Sequence, residues 1–408
     1  MKKRPWGYQP INERPEPDWQ LNSQTEAVRA GLARSGFGET SEALYLTSGF
    51  TYSSAEEAET AFKDEIDHYL YGRFANPTIS MFEQRLATLE GAESCIATGS
   101  GMSAMFASVA CLVEKGDRVV ASASMFSSCH VVLTEFLPKW GVTTDLVKGS
   151  NRADWERALS KPTKAVFIET PSNPLMDIVD IKMVSELAHK VGATVIVDNV
   201  MASPIYQKPL QLGADVVMYS TTKHIDGQGR VLGGAVLGSA KYITEQFQPF
   251  IRHTGPALSP FNAWVMVKSL ETMQMRVERM NSNAQAVAEF LEKSAKIKAV
   301  RYPGLKSHPQ HELSMKQMHG AGGTTIGIEF KGDKHAAFKF MNALRVVDIS
   351  NNLGDSKSLI THPASTTHRR LAPEVQAEMG ITESTLRLSV GLEHQDDLIK
   401  DLKQALAK

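Results

Sequence analysis

The chain has 408 residues, 42% hydrophobic and 22% charged, ordinary globular material with apolar mass for more than one core. Its 44 basic and 45 acidic residues nearly cancel, so no field gathers nucleic acid or an anionic membrane surface, and small-molecule partners are favoured. Cys95, Cys111 and Cys129, the only three cysteines, lack disulfide or zinc spacing, which points to a reducing, cytoplasmic setting.

Along the chain, MKKRPWGYQPINERPEPDW begins basic but has no apolar core and no small-residue cleavage site, so it reads as an extended arm rather than a secretory signal. Residues 94–113, SCIATGSGMSAMFASVACLV, carry no formal charge and are long enough for a membrane span. Gly99, Ser100, Gly101 and Ser103 interrupt the run, and a strand, a glycine turn and a buried helix account for it better. From 80 to 240, short apolar runs alternate with helical patterns, the signature of βαβ units and a mostly parallel sheet. RVVAS (118–122), AVFIET (165–170), TVIVDN (194–199) and VVMYS (216–220) read as strands. Ile181, Val184, Leu187, Ala188 and Val191 recur at helical spacing, with Asp180 to cap the start and Gly192 the end. Residues 259–293 read as one long amphipathic helix with room for a bend, and its Met-rich part reads as packing. TTIGIEF (324–330) is a further strand. The expected organisation is an N-terminal segment (1–60), a large α/β domain (61–256) and a smaller α+β domain (257–408). HPQHELSMKQMHG reads as a solvated helix, since it lacks ligand-spaced carboxylates or thiols, and no metal site is expected.

In open α/β sheets ligands bind outside the carboxyl ends of the strands. Four strands finish there with chemistry: RVVAS leads to Phe126, AVFIET to Asn173, TVIVD to Asp198, and VVMYS to Ser220, Thr222 and Lys223. Taken singly, Asp198 is equally a turn cap and Lys223 a solvated loop lysine. Together an acid and an amine on one rim match pyridoxal phosphate, which needs a lysine for its Schiff base and a carboxylate for its pyridine nitrogen. Ser100, Gly101 and Met102 open a helix whose first turn has no acid, a ready phosphate site or else a tight turn that binds nothing. GQGRVLGG has Leu232 where the dinucleotide spacing needs glycine, which counts against NAD. Cys129, in a cluster of small residues, reads as an inert buried thiol.

YGRFANPT (71–78), TGSGMSA (98–104), ETPSNP (169–174), VDN (197–199), STTKHIDG (220–227), HPAS (362–365) and LRLSVGLE (386–393) resemble, in order and spacing, the cysteine and methionine metabolism family of pyridoxal-phosphate enzymes. The resemblance runs from about Leu46 to Leu402 and implies the fold shared with aspartate aminotransferase, fold type I, a mostly parallel sheet with a smaller C-terminal domain. It implies that Lys223 forms the aldimine with pyridoxal 5'-phosphate and moves protons, Asp198 pairs with the pyridinium, and Asn173 sits near the ring hydroxyl. It assigns the phosphate to Gly101, Met102, Ser220 and Thr222, joined by Tyr71 and Arg73 of a neighbouring subunit, hence a dimer paired into a homotetramer. Arg387 would hold the substrate α-carboxylate; taken alone, an arginine alternating outward on LRLSV is the plainer reading.

The departures are informative. Many relatives place a tyrosine over the ring, where this chain has Phe126, which stacks but exchanges no proton, leaving more acid–base work to Lys223. Asn352 stands where a serine often precedes Leu-Gly and is assigned to the substrate, and Gln228 replaces a common histidine. This combination is most similar to members that exchange the acyl group of an O-acylhomoserine, here the succinyl ester, for sulfide to give homocysteine. Members that use cysteine as the nucleophile, or none, share every cofactor residue and remain alternatives, as does a non-catalytic protein that binds the cofactor.

Overall fold

The computed structural model describes residues 19–408. The expected extended arm lies, apart from Trp19, outside the described residues. Among the described residues twelve strands form two sheets. The first seven are β1 (Ser94–Thr98), β2 (Arg118–Ser122), β3 (Thr143–Val147), β4 (Ala165–Glu169), β5 (Thr194–Asp198), β6 (Val216–Tyr219) and β7 (Gly234–Gly238). They lie in the order β1-β7-β6-β5-β4-β2-β3, with only β7 reversed against its neighbours. Six carboxyl ends therefore point to one edge, the geometry expected of the rim. Residues 94–113 form β1, a turn at Gly99–Ser100 and the helix Gly101–Ala110, and no helix among the described residues is long and apolar enough to cross a membrane.

Both faces of this sheet are covered, as near-continuous Val, Ile and Ala strands require. On one face Ala121, Phe167 and Ile196 pack with Met105 and Leu133; on the other Val120, Val166 and Val195 pack with Trp155, Ile181 and Val184. The Ile181–His189 helix forms as its sequence predicts: the Asp180 carboxylate accepts the Met183 N–H at 3.0 Å, and Gly192 takes the left-handed φ of 71° that ends it.

The smaller sheet, β10-β11-β12-β9-β8, comprises β8 (Ile297–Arg301), β9 (Thr325–Phe330), β10 (Asp348–Ile349), β11 (Leu359–Thr361) and β12 (Thr385–Ser389). All its pairs but β10–β11 are antiparallel. Its core joins Ile326, Ile328, Leu386 and Leu388 to Val287 and Leu291. The single helix read over 259–293 is two, Pro260–Leu270 and Met273–Glu292, interrupted at Glu271–Thr272. The break lets one segment serve two cores. Ala263, Met266, Met273 and Val277 pack with the Pro77–Glu90 helix of the large domain, while Ala284 to Leu291 pack in the small one.

The stretch read as a solvated helix is instead a seam. The His311–Gln317 helix and Gln310 before it press on the loop after β4. Gln310 accepts the Ile178 N–H at 2.8 Å and donates to the Ile178 carbonyl; Gln317 accepts the Ile181 N–H at 3.1 Å and donates to the Val179 carbonyl at 3.1 Å. The lack of ligand-spaced carboxylates or thiols suggested a solvated helix, but the residues that decide burial here are neutral amides, which donate to and accept from backbone.

Candidate active site

The rim brings the expected residues together and sets them against β12. Lys223 follows β6 in a tight turn, its N–H bonded to the Ser220 carbonyl at 3.2 Å. Its Nζ donates to Oδ1 of Asn352 at 2.6 Å, and the Asn352 carbonyl accepts from Arg387 Nη2 at 3.1 Å. Burial, and then the charge on Arg387, brings the Lys223 amine down from its ordinary range to about 8. An amine in that range is free to take and return a proton near neutrality.

Arg387 alternates as the strand pattern predicts, but its side of β12 faces the large domain, not solvent, and the residue is 2% exposed. Nη1 donates to Asn173 Oδ1 at 3.0 Å and Nη2 to the Asn351 carbonyl at 2.8 Å. Its buried Nε–H has no partner among the described residues. A buried guanidinium that keeps a donor bare is poised for an anion, and a carboxylate is the planar anion it fits.

Asp198 and Glu169 lie side by side on β5 and β4, in register. The Asp198 carboxylate accepts the Val200 N–H at 3.1 Å, and burial raises it to about 7. A cationic partner such as a pyridinium would draw it back to the ionised form. Glu169 was not singled out from sequence, although it opens the ETPSNP motif. Its two oxygens accept the backbone N–H groups of Asn173 at 2.6 Å and Phe126 at 2.7 Å. One carboxylate thus fixes both loops, the one that carries Phe126 and the one that carries Asn173. Burial first, then Asp198, pushes it well above the usual carboxylate range, against those two donors and Arg387.

Opposite, the helix Gly101–Ala110 is capped by Ser100, whose Oγ accepts the Ser103 N–H at 3.1 Å, so Ser100 serves the helix end as well as the rim. The Gly101 and Met102 N–H groups precede the first intrahelical bond and face no acid. Gly101 abuts Ser220: a Cβ at 101 would stand 2.5 Å from the Ser220 Cβ. Thr222 Oγ1 accepts the Gly233 N–H at 3.1 Å, which ties it to the β7 approach. The cradle, the acid, the amine and the bare Nε–H fit pyridoxal phosphate and an amino-acid carboxylate.

Tyr71 and Arg73 make no hydrogen bond to this cluster among the described residues. They lie on the surface, Tyr71 44% exposed, where the Arg73 guanidinium stacks on Phe74 and bonds the Arg252 carbonyl. Phe126 is half-buried beside Ser127, whose hydroxyl bonds the Thr367 carbonyl at 2.5 Å. Sequence reading also missed His368 and His224. His368 is wholly buried, near the Met125 and Asn173 carbonyls, and burial and then Arg387 take it down to about 4, so it is neutral. HPAS pointed close to it, but nothing in a lone histidine distinguishes burial from exposure. Cys129 is buried and its thiol raised by burial, then by Asp198 and Glu169, as an inert thiol requires.

Comparison with known proteins agrees with this chemistry. The chain is 54% identical over 390 residues to an O-succinylhomoserine sulfhydrylase of Mycobacterium tuberculosis, covering 95% of this chain and 96% of that one. To the O-succinylhomoserine sulfhydrylase of Pseudomonas aeruginosa it is 46% identical, with 94% of each chain covered. A solved structure from Campylobacter jejuni, described as an O-acetylhomoserine (thiol)-lyase and holding N'-pyridoxyl-lysine-5'-monophosphate, superposes with a TM-score of 0.90 at 32% identity, covering 95% of this chain and 100% of that one. The family model for Cys/Met metabolism PLP-dependent enzymes matches residues 24–407, and the chain belongs to that family.

Proposed function

We propose that the chain is a pyridoxal-phosphate enzyme that exchanges the succinyl group of O-succinylhomoserine for sulfide. The γ C–O bond breaks and a γ C–S bond forms, so that the ester and hydrosulfide become homocysteine and succinate. The observation that carries this is the Arg387–Asn352–Lys223 chain, which sets a carboxylate donor and a proton-moving amine a single residue apart. The two sulfhydrylase relatives support the choice of substrate and nucleophile.

Pyridoxal phosphate, when bound, supplies the electron sink for loss of the α-proton. The Gly101 and Met102 N–H groups with Ser220 and Thr222 would hold its phosphate, Asp198 its ring nitrogen and Asn173 its ring hydroxyl. Arg387 binds the α-carboxylate through the Nε–H that has no partner among the described residues. Lys223 takes the α-proton and delivers protons along the substrate carbons; Asn352 holds that amine on its path. Phe126 would lie against the ring and exclude water without competing for a proton. We further infer that Tyr71 and Arg73 complete the phosphate site of a neighbouring subunit, in a dimer of a homotetramer, which their exposure supports. The three cysteines, unpaired in the structure, suit a cytoplasmic enzyme.

The test gives purified enzyme O-succinylhomoserine with equimolar sulfide and cysteine and quantifies products by mass spectrometry. Homocysteine should predominate. Predominant cystathionine would make cysteine the nucleophile, and 2-oxobutyrate alone would mean elimination.

A further inference from the structure

Asp198 needs a fixed direction, because a carboxylate pairs with a ring nitrogen only when aimed at it. The sheet fixes its backbone, since Asp198 pairs with Glu169 on one side and Met218 on the other and the Asn199 N–H still donates to the Met218 carbonyl at 3.1 Å, but the chain leaves the sheet directly after. The side chains that hold this exit come from other segments. The Asn199 side chain donates to Tyr219 Oη at 2.5 Å and accepts from Gln207 Nε2 at 2.7 Å. The Val200 N–H goes to Asp198 itself, and the Val200 carbonyl meets His224 Nδ1 at 3.1 Å.

His224 is the residue after the lysine, 2% exposed, and every polar atom of its side chain is engaged. A carbonyl only accepts, so Nδ1 carries the hydrogen, and Nε2 accepts from Thr324 Oγ1 at 2.7 Å. Thr324 immediately precedes β9 of the small domain. The same domain supplies Gly354, at a left-handed φ of 69°, so close that a Cβ there would stand 2.8 Å from the His224 backbone nitrogen and 3.1 Å from the imidazole Nδ1. Arg276 Nη1 donates to the His224 carbonyl at 2.9 Å. The imidazole therefore spans from the small domain to the turn that carries Asp198.

We propose that His224 is a positioning residue for Asp198: its imidazole clasps the Asp198–Val200 turn to Thr324, so that the seat of the small domain fixes the direction of the carboxylate. The proposal rests on the reading of Asp198 as the partner of the cofactor ring. It requires no titration of His224, which burial, and then Arg276 and Lys223, keep neutral against the Val200 carbonyl.

The test measures the dissociation constant of pyridoxal phosphate from full-length apoenzyme, the visible absorption band of the bound cofactor, and the melting temperature. The variants are His224→Leu, His224→Asn, Thr324→Val and Asp198→Asn. Asparagine places an amide N–H where Nδ1–H stands and keeps the Val200 bond; leucine fills the space without it. His224→Leu should weaken binding about tenfold and shift the band, while His224→Asn, which keeps the Val200 bond and loses the Thr324 one, should lose about threefold, between leucine and wild type. Thr324→Val, nearly isosteric, should weaken binding in the same direction by less, and it decides the matter if His224→Leu does not fold. Wild-type binding and band in both His224→Leu and Thr324→Val, whatever their melting temperatures, would overturn the proposal, as would equal losses in the leucine and asparagine variants. If Asp198→Asn itself binds normally, the reading of Asp198 falls first and takes this one with it.

Discussion

Arg387→Lys separates the geometry of the carboxylate site from its charge. Lysine keeps a cation against Glu169 but offers one compact ammonium in place of a planar fork. In the native site two donors are committed to Asn173 and to the Asn351 and Asn352 carbonyls, and the Nε–H is left for the ligand. An ammonium cannot serve all of these at once, so the substrate loses at least one charge-assisted hydrogen bond, about 1.5–3 kcal/mol. At 1.4 kcal/mol per factor of ten, that is about a 10- to 140-fold fall in kcat/KM for O-succinylhomoserine. The carboxylate is held alike in ground and transition states, so the loss should fall mainly on KM, while the KM for sulfide stays unchanged. Steady-state kinetics with each substrate varied in turn reads this directly. A KM for O-succinylhomoserine within twofold of wild type would refute the assignment and make Arg387 a purely structural link between domains.

Gly101→Ala brings a methyl within 2.5 Å of the Ser220 Cβ and 2.8 Å of its Cα, so the helix start and the end of β6 must part. A loss of about 1–3 kcal/mol in urea unfolding is expected, with weaker uptake of pyridoxal phosphate by the apoenzyme. Glu169→Gln leaves one of the Phe126 and Asn173 N–H groups facing an amide that cannot accept both, and should cost about 1–3 kcal/mol by the same assay. Because the Lys223 pKa is lowered to about 8 on folding, the folded protein binds fewer protons there than the unfolded chain between about pH 8 and the ordinary lysine range, so stability rises with pH across that window. Apoenzyme carrying Lys223→Met should lack this part of the rise, seen as a pH-dependent difference in urea midpoints from wild type; a constant difference would contradict the shift.

The rim was legible because its chemistry sits where apolar runs stop. VVMYS, TVIVD and AVFIET each announce a buried strand, and in a parallel sheet every such stop lies on one edge. The residues that escaped notice act through backbone or across domains. Glu169 ends an apolar strand like any terminal residue, and its role depends on two amides brought to it by loops 126 and 173. Arg387 obeyed its alternation, but alternation tells which side a residue takes, not what covers that side. His224 and Gln317 were hidden for the same reason: their partners, Thr324 and Val200, Ile181 and Val179, are far away in sequence, and no local pattern records them. The long helix failed at Glu271–Thr272 because its period persists through a break that only the two separate cores require.

The amides of Gln310 and Gln317 have a bearing on how substrate gets in. Swinging the small domain off the loop at 178–181 would strip four backbone groups and two side chains of their partners at once. The seam there is a weld, so the loop that delivers Asn173 travels with both sheets or not at all. On the other side of Arg387, Asn351 and Asn352 reach the site from a short connection whose Asn351 is open to solvent. A gate made of that connection would loosen Arg387 and Lys223 together, admitting the carboxylate and releasing the amine in a single movement.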